Sequence, residues 1–206
     1  MTPNWFIGLP VEAGTWFPRL IRGAPESVRV FHPDDIHITV AFLGSCGPEA
    51  ARRAWSAVTE ELHRGVRPVA PLQATLGGVE PMGNPKRPSA LSVVLSEGAR
   101  PVAELMEALR HGAWAAADAR PDRRPALPHI TIARPKRKAS GSERQDALRW
   151  AAELPAVGVG ISLDRVALLT WAEDRRLRQF RAVEQSALAP PAPSATPPTP
   201  PSENDG

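Results

Sequence analysis

At 206 residues, with 42% hydrophobic and 23% charged side chains, the chain has the make-up of one globular domain or of two small lobes sharing a core. Its single cysteine, Cys46, excludes an internal disulfide framework and a cysteine-rich zinc site, and no apolar run approaches the ~20 residues that span a bilayer. The formal net charge of +3 is carried almost wholly by arginine, which suits phosphate contacts but equally marks an Arg- and Ala-biased composition. The opening residues MTPNWFIGLPVEAG lack a basic leader and a sustained apolar stretch. The expected setting is therefore cytoplasmic and reducing.

Strand-like and helix-like segments alternate along the chain. Residues 5–11 and 28–31 are short apolar runs, and residues 36–43 read as a strand rich in β-branched side chains and stopped by Gly44. Residues 48–63 predict a helix with Pro48 in its first turn and Ala51, Trp55, Val58 and Leu62 on one face. Extended segments follow at 72–79 and 90–95. A second amphipathic helix is predicted over 101–117, through Val102, Leu105, Met106 and Leu109. Residues 130–133 form a strand core closed by Pro135, and 142–154 a helix. Residues 161–171 and 177–183 predict a hairpin across the charged turn 172–176. The mixed order implies an α+β fold with largely antiparallel sheets. Beyond residue 187 the sequence LAPPAPSATPPTPPSENDG is too poor in large apolar residues to offset its ordering entropy. The expected division is a folded part at 1–187 and a disordered Pro-rich tail at 188–206.

The informative feature is an internal echo. His37-Ile38-Thr39-Val40-Ala41 recurs as His129-Ile130-Thr131-Ile132-Ala133, both in strand-like segments and both after a Pro-containing lead-in. Strand alternation puts His37, Thr39 and Ala41 on one face, and His129, Thr131 and Ala133 likewise; Ile38, Val40, Phe42, Ile130 and Ile132 are expected to face the core. Two imidazoles near pKa ~6.5 suit an acid–base pair, and two threonine hydroxyls suit the non-bridging oxygens of a phosphate between them. The constellation holds no paired carboxylate and no His-x-His, so no metal site is indicated. A strained five-membered cyclic phosphate fits such a site. The bland reading is a duplicated structural element with satisfied histidines. His32, His63 and His111 lack motif context, and Cys46 has no base partner. The basic run 134–138 reads equally as an RNA guide or a solvated loop.

With HITVAFLG, PHITIAR and the opening WFIGLPV, the sequence resembles the two-histidine phosphoesterase superfamily, and within it the RNA 2',3'-cyclic phosphodiesterases historically called 2'-5' RNA ligases. The likeness spans nearly all of residues 1–187. It implies a bilobal, pseudo-two-fold fold with two largely antiparallel sheets, flanking helices and a central cleft. It further implies hydrolysis of RNA 2',3'-cyclic phosphate ends to 2'-phosphomonoesters, with reverse 2'-5' ligation, and no metal or nucleotide cofactor. His129 is implied as the base that activates water, His37 as the acid, and Thr39, Thr131 and Arg134 as substrate-binding residues. Alternation alone turns Arg134 away from His129, so its role requires a bend before Pro135. Trp171 is the candidate for stacking a base. The implied partner is RNA or a related small nucleotide, met by a monomer. Two other readings remain: a phosphodiesterase for a small cyclic-phosphate nucleotide or a 2'-5' oligoadenylate, and a non-catalytic RNA-binding relative.

Overall fold

The structure is a computed structural model in which residues 2–64, 70–84 and 87–188 are described. Strand β1 (Trp5–Pro10) leads to a short helix α1 (Trp16–Leu20), strand β2 (Val28–Val30), a 3₁₀ turn over Pro33–Asp35 and strand β3 (His37–Gly44). Helix α2 (Pro48–Arg64) follows, then the long hairpin of β4 (Leu72–Asn84) and β5 (Arg87–Glu97), helix α3 (Ala99–Ala117) and strand β6 (His129–Pro135). Helix α4 (Gly141–Glu153) and strands β7 (Gly160–Leu163), β8 (Arg165–Trp171) and β9 (Phe180–Ala187) complete the described chain.

The α+β class is as expected, and every ladder among the described residues is antiparallel. The hydrogen bonding of the two sheets runs on into one curled nine-stranded sheet, in the order β7-β4-β5-β6-β3-β1-β8-β9, with β2 paired to β6. Within that sheet the two halves join where Ile38 of β3 pairs with Ile130 of β6. The halves are also interleaved in sequence. The continuous strand expected at 161–171 breaks at Asp164: β7 pairs with β4 at one end of the sheet, while β8 pairs with β1 and β9 in the other half. Buried apolar residues flank the crossing on both sides, Leu163 before it and Val166 after it, and conceal the change of partner. The Asp164 carbonyl accepts the Leu188 N–H at 2.7 Å, and Leu188 is buried, so the core extends one residue past the boundary expected at 187. Residues 189–206, where most of the proline-rich tail was expected, lie outside the described residues.

Helices α2 and α3 pack against each other and cover the convex face beneath β1 and β3; α4 rests on β4. Of the faces the 3.6-residue period marks, α3 buries Val102, Leu105, Met106 and Leu109 as expected, and α2 buries Ala51, Val58 and Leu62; Ala54 is buried beside them, while Trp55, expected on that face, is only partly buried against the core. Pro48 opens α2, where a missing N–H costs nothing. Helix α4 starts on a capping box, with the Glu143 N–H donating to Ser140 Oγ at 3.2 Å and the Ser140 N–H to Glu143 Oε2 at 2.6 Å.

Gly98 caps α3 in the left-handed region at φ 72°, and a Cβ there would drive into the Gln73 carbonyl and reach within 2.9 Å of Ala74 Cα. Gly98→Ala is therefore expected to destabilise by ~2 kcal/mol or more, lowering Tm by roughly 5 °C. Gly141→Ala, where nothing lies within 4 Å of the added carbon, should change stability by less than ~1 kcal/mol. Thermal melts that fail to separate the two variants would contradict this account of the α3 start.

Candidate active site

The Ile38–Ile130 bridge fixes the site. Both isoleucines are fully buried, so their neighbours project to the opposite, concave face. The antiparallel sense then sets His37 across from Thr131 and Thr39 across from His129. The two histidines lie on the diagonal of this square, about 7–8 Å apart at Cα, which leaves room for a tetrahedral phosphate between the rings.

The two imidazoles are held alike. His37 Nδ1 lies 2.6 Å from the Asp35 carbonyl, and His129 Nδ1 lies 2.7 Å from the Leu127 carbonyl. A carbonyl only accepts, so each Nδ1 carries the proton, and in the neutral ring each Nε2 keeps its lone pair. His37 Nε2 accepts from the Thr39 hydroxyl at 3.2 Å. The Thr131 hydroxyl is within 3.3 Å of Ser92 Oγ, a fully buried hydroxyl on β5. The environments of the histidines differ. His129 is half-buried, whereas His37 is buried, stacked on Phe6 at 4.8 Å and met edge-on by Phe180 at 5.5 Å. Burial pulls the His37 pKa down to about 4, with the charges of Arg134 and His129 adding and the Asp35 contact opposing.

Strict alternation fails at the same place in both motifs. Ile7 pairs with Ala41 but Gly8 with Thr39, which leaves Val40 as an extra residue in β3. Leu91 pairs with Ala133 but Ser92 with Thr131, which leaves Ile132 as an extra residue in β6. Each bulge buries two consecutive residues, Val40–Ala41 and Ile132–Ala133, and returns the next one to the concave face. Ala41 and Ala133, expected beside the ligand, are therefore in the core. Phe42, expected in the core, is 54% exposed and lines the cleft, and Arg134 does the same on the partner strand. The bend that Arg134 requires is this bulge.

The cleft is a cavity of about 310 Å³ that brings together His37, Thr39, Phe42, Thr131, Arg134 and Trp171. His129 stands at its margin, outside the lining. Trp171, the candidate for stacking a base, lines the cleft with the Arg175 guanidinium over its ring at 4.1 Å. A larger cavity of about 580 Å³ opens on the other side of His37 and Phe180, mixing Arg165, Arg178 and Arg181 with Glu12, Asp34 and Asp35; it touches neither threonine nor Arg134. Lys136, Arg137 and Lys138 are exposed beyond the strand end. Cys46 donates to the Gly47 carbonyl, and burial pushes its thiol pKa up. Among the described residues there is no cluster of three or more His, Cys, Asp or Glu fit for a metal ion. No helix among them is long and apolar enough to cross a membrane.

Four contributors escape a reading of the sequence. Asp35, almost fully buried, accepts the N–H groups of Gln179 (2.6 Å) and Phe180 (2.9 Å), so one residue ties the last hairpin to the backbone that orients His37. Gly8 lies beneath the His37 ring, where a Cβ would come within 3.4 Å of His37 Cδ2 and 3.2 Å of the Ile38 carbonyl. Ser92 orients Thr131. Arg29, paired with Arg134 across β2 and β6, adds a third arginine, beside Arg134 and Arg175, to the cleft wall. Only Asp35 had a signal, its place in the Pro-containing lead-in to the first motif.

A family model described as the 2'-5' RNA ligase superfamily matches residues 24–175. Among curated proteins, an RNA 2',3'-cyclic phosphodiesterase of Bacillus subtilis (strain 168) is 26% identical over 139 residues, covering 64% of this chain and 71% of that one. The fold is shared with the crystal structure of TT0787 of Thermus thermophilus (TM-score 0.65, 22% identity, 90% of this chain and 97% of that one). It is shared equally with E. coli LigT complexed with 3'-AMP (TM-score 0.64, 21% identity, 90% and 97%).

The depressed His37 pKa has a thermodynamic consequence. Above pH 6.5 the ring is neutral whether the chain is folded or unfolded, and its contribution is constant. Between pH 6.5 and about 4 the unfolded ring binds a proton that the folded one refuses, so stability falls as pH falls, by about 3 kcal/mol in all, and levels off below 4. Denaturation of wild type and His37→Gln across pH 4–8 isolates this contribution. The gap between them should narrow on acidification by that amount, and parallel curves would refute the buried neutral imidazole.

Proposed function

This chain belongs to the 2'-5' RNA ligase superfamily, and on that footing we propose that it hydrolyses the 2',3'-cyclic phosphate ends of RNA to 2'-phosphomonoesters, with His37 and His129 moving the protons. The observation that carries this reading is the pair of imidazoles set across one strand bridge, each with Nδ1 anchored on a carbonyl and Nε2 left for the reaction. The name of the Bacillus subtilis relative supports the same activity.

In this reaction water attacks phosphorus and gives its proton to His129 Nε2, the more accessible of the two nitrogens. The P–O3' bond breaks, and the departing oxygen takes a proton from His37 Nε2, leaving phosphate on the 2' oxygen. Thr39 and Thr131 donate to the non-bridging oxygens, and Arg134 reaches back to offset their charge. Phe42 offers an apolar ring to the terminal base. A 5'-hydroxyl in place of water would give a 2'-5' linkage by the same transfers. The chemistry calls on no metal or nucleotide cofactor, because two imidazoles handle both protons and the strained ring supplies the activated bond. One chain supplies both histidines, which fits a monomer; a cytoplasmic setting is part of the same proposal.

The order of roles sets a demand on His37. With its pKa near 4, only about one free molecule in a thousand carries the needed proton at pH 7. The phosphate anion must recruit it, through the same Coulomb attraction that lifts any histidine beside a negative charge.

His37→Ala and His129→Ala should each lower kcat on a cyclic-ended oligonucleotide by about 10³-fold, and Thr39→Ala or Thr131→Ala by roughly 10–100-fold, measured by separating cyclic, 2'-phosphate and 3'-phosphate ends. Near-normal turnover by either histidine variant would end the proposal. Proton recruitment is tested on the inactive His129→Ala protein, because a cyclic phosphate stays monoanionic throughout. Its Kd should tighten by up to about tenfold per unit as pH falls from 7 to 5. A flat profile would assign His37 the opposite role, that of proton acceptor.

A further inference from the structure

The cleft carries more positive charge than this reaction needs. Arg29, Arg134 and Arg175 all line it, and among the described residues no Asp or Glu does. A cyclic phosphodiester brings one negative charge. Arg175 lies on Trp171 and donates to Gln179 Oε1 at 3.2 Å, and Arg134 packs over the Phe31 ring at 5.5 Å. Arg29 is exposed, and no such stacking partner is found for it among the described residues. Its position is set by the ladder: Arg29 pairs with Arg134 at directly opposite points of β2 and β6, so both side chains rise from one face. Like charges so placed weaken a strand pair. An anion between them removes that penalty.

Distance along β6 separates this anion from the one being cleaved. Arg134 is three residues beyond Thr131, about 10 Å along the strand before the bulge shortens it. An arginine side chain can span that gap back towards the threonines, but Arg29, one strand further out, faces the next segment of a bound polynucleotide.

Resting on the cyclic-phosphate reading above, we infer that Arg29, beside Arg134, holds the phosphate on the 5' oxygen of the terminal nucleoside, so that the site selects a polynucleotide end over a cyclic mononucleoside. The group is a phosphoryl anion in either of two forms, a 5'-monoester or the diester to a preceding nucleotide. The guanidinium fork suits both.

Three substrates test it: a nucleoside 2',3'-cyclic phosphate with a free 5'-hydroxyl, the same compound with a 5'-monophosphate, and a dinucleotide with a cyclic end. Wild type should show kcat/KM about tenfold or more higher for the two 5'-phosphorylated substrates, mainly through KM. Arg29→Gln should bring the three to within about threefold of one another, Arg29→Lys should restore part of the preference, and the ranking of the two phosphorylated substrates tells monoester from diester. Equal use of all three by wild type, or a preference that survives Arg29→Gln, would overturn the assignment. Should none be hydrolysed, the reaction reading falls by itself. Calorimetric binding of a 3'-nucleotide with and without a 5'-phosphate, to wild type and Arg29→Gln, then decides the role of Arg29: a 5'-phosphate gain lost in the variant supports it, and one retained there refutes it.

Discussion

A single antiparallel contact between β3 and β6 holds the molecule's two halves in one sheet. Ile38 and Ile130 meet there, each fully buried, and the burial enforces the register. A slip of one residue would turn both imidazoles into the helices behind the sheet and bring isoleucine side chains out to water. The core and the site are thus specified by the same packing. The two-fold relation of the motifs follows from this pairing: an antiparallel ladder has local two-fold symmetry, so two identical sequences crossing at their second residue must present His to Thr and Thr to His.

Around that contact the protein departs from regular strand geometry in matched ways. The bulges at Val40 and Ile132 sit one residue past each threonine, and they convert a plain alternation into a wall with a third cleft-facing position, Phe42 on one side and Arg134 on the other. Supports behind the wall remove its freedom. The Trp114 indole N–H donates to the Phe42 carbonyl at 3.2 Å, which ties α3 to the first bulge. Glu107 on the same helix accepts the Ala126 N–H at 2.8 Å and anchors the segment that ends in Leu127, whose carbonyl orients His129. Asp35 does the corresponding work for His37, its carboxylate held by the N–H groups of Gln179 and Phe180. Positioning is shared among several elements, so substitutions well away from the cleft can disturb it.

Electrostatics divides the two otherwise symmetric histidines. Burial against Phe6 and Phe180 desolvates His37, while the charge of Arg134 adds to the cost of protonating it. His129 stands at the margin, nearer to solvent. The cleft is a cationic basin, lined by no carboxylate among the described residues, with one neutral imidazole at its floor. It favours anions, and an anion changes the protonation of the floor when it arrives. Pseudo-symmetry in the backbone therefore coexists with asymmetry in charge, which is what an acid–base pair requires.

The repeated His-Ile-Thr segment, its strand character, the helical faces of α2 and α3 and the α+β class were all legible in the residues, because each rests on local periodicity and on side-chain type. Those features identify His37, Thr39, His129 and Thr131 as a set before any coordinates are known. The placement of Phe42, Ala41 and Ala133 was not legible, since a bulge is a property of the ladder between two strands and leaves the composition of either one unchanged. Nor was the break at Asp164, because the buried apolar residues on either side of it, Leu163 and Val166, read as one run, nor the roles of Gly8, Ser92, Asp35 and Arg29, each of which acts on a residue distant in sequence or across a neighbouring strand. Local chemistry determined which side chains could react. The pairing of strands decided which of them share a face, and that choice depends on packing that no single segment contains.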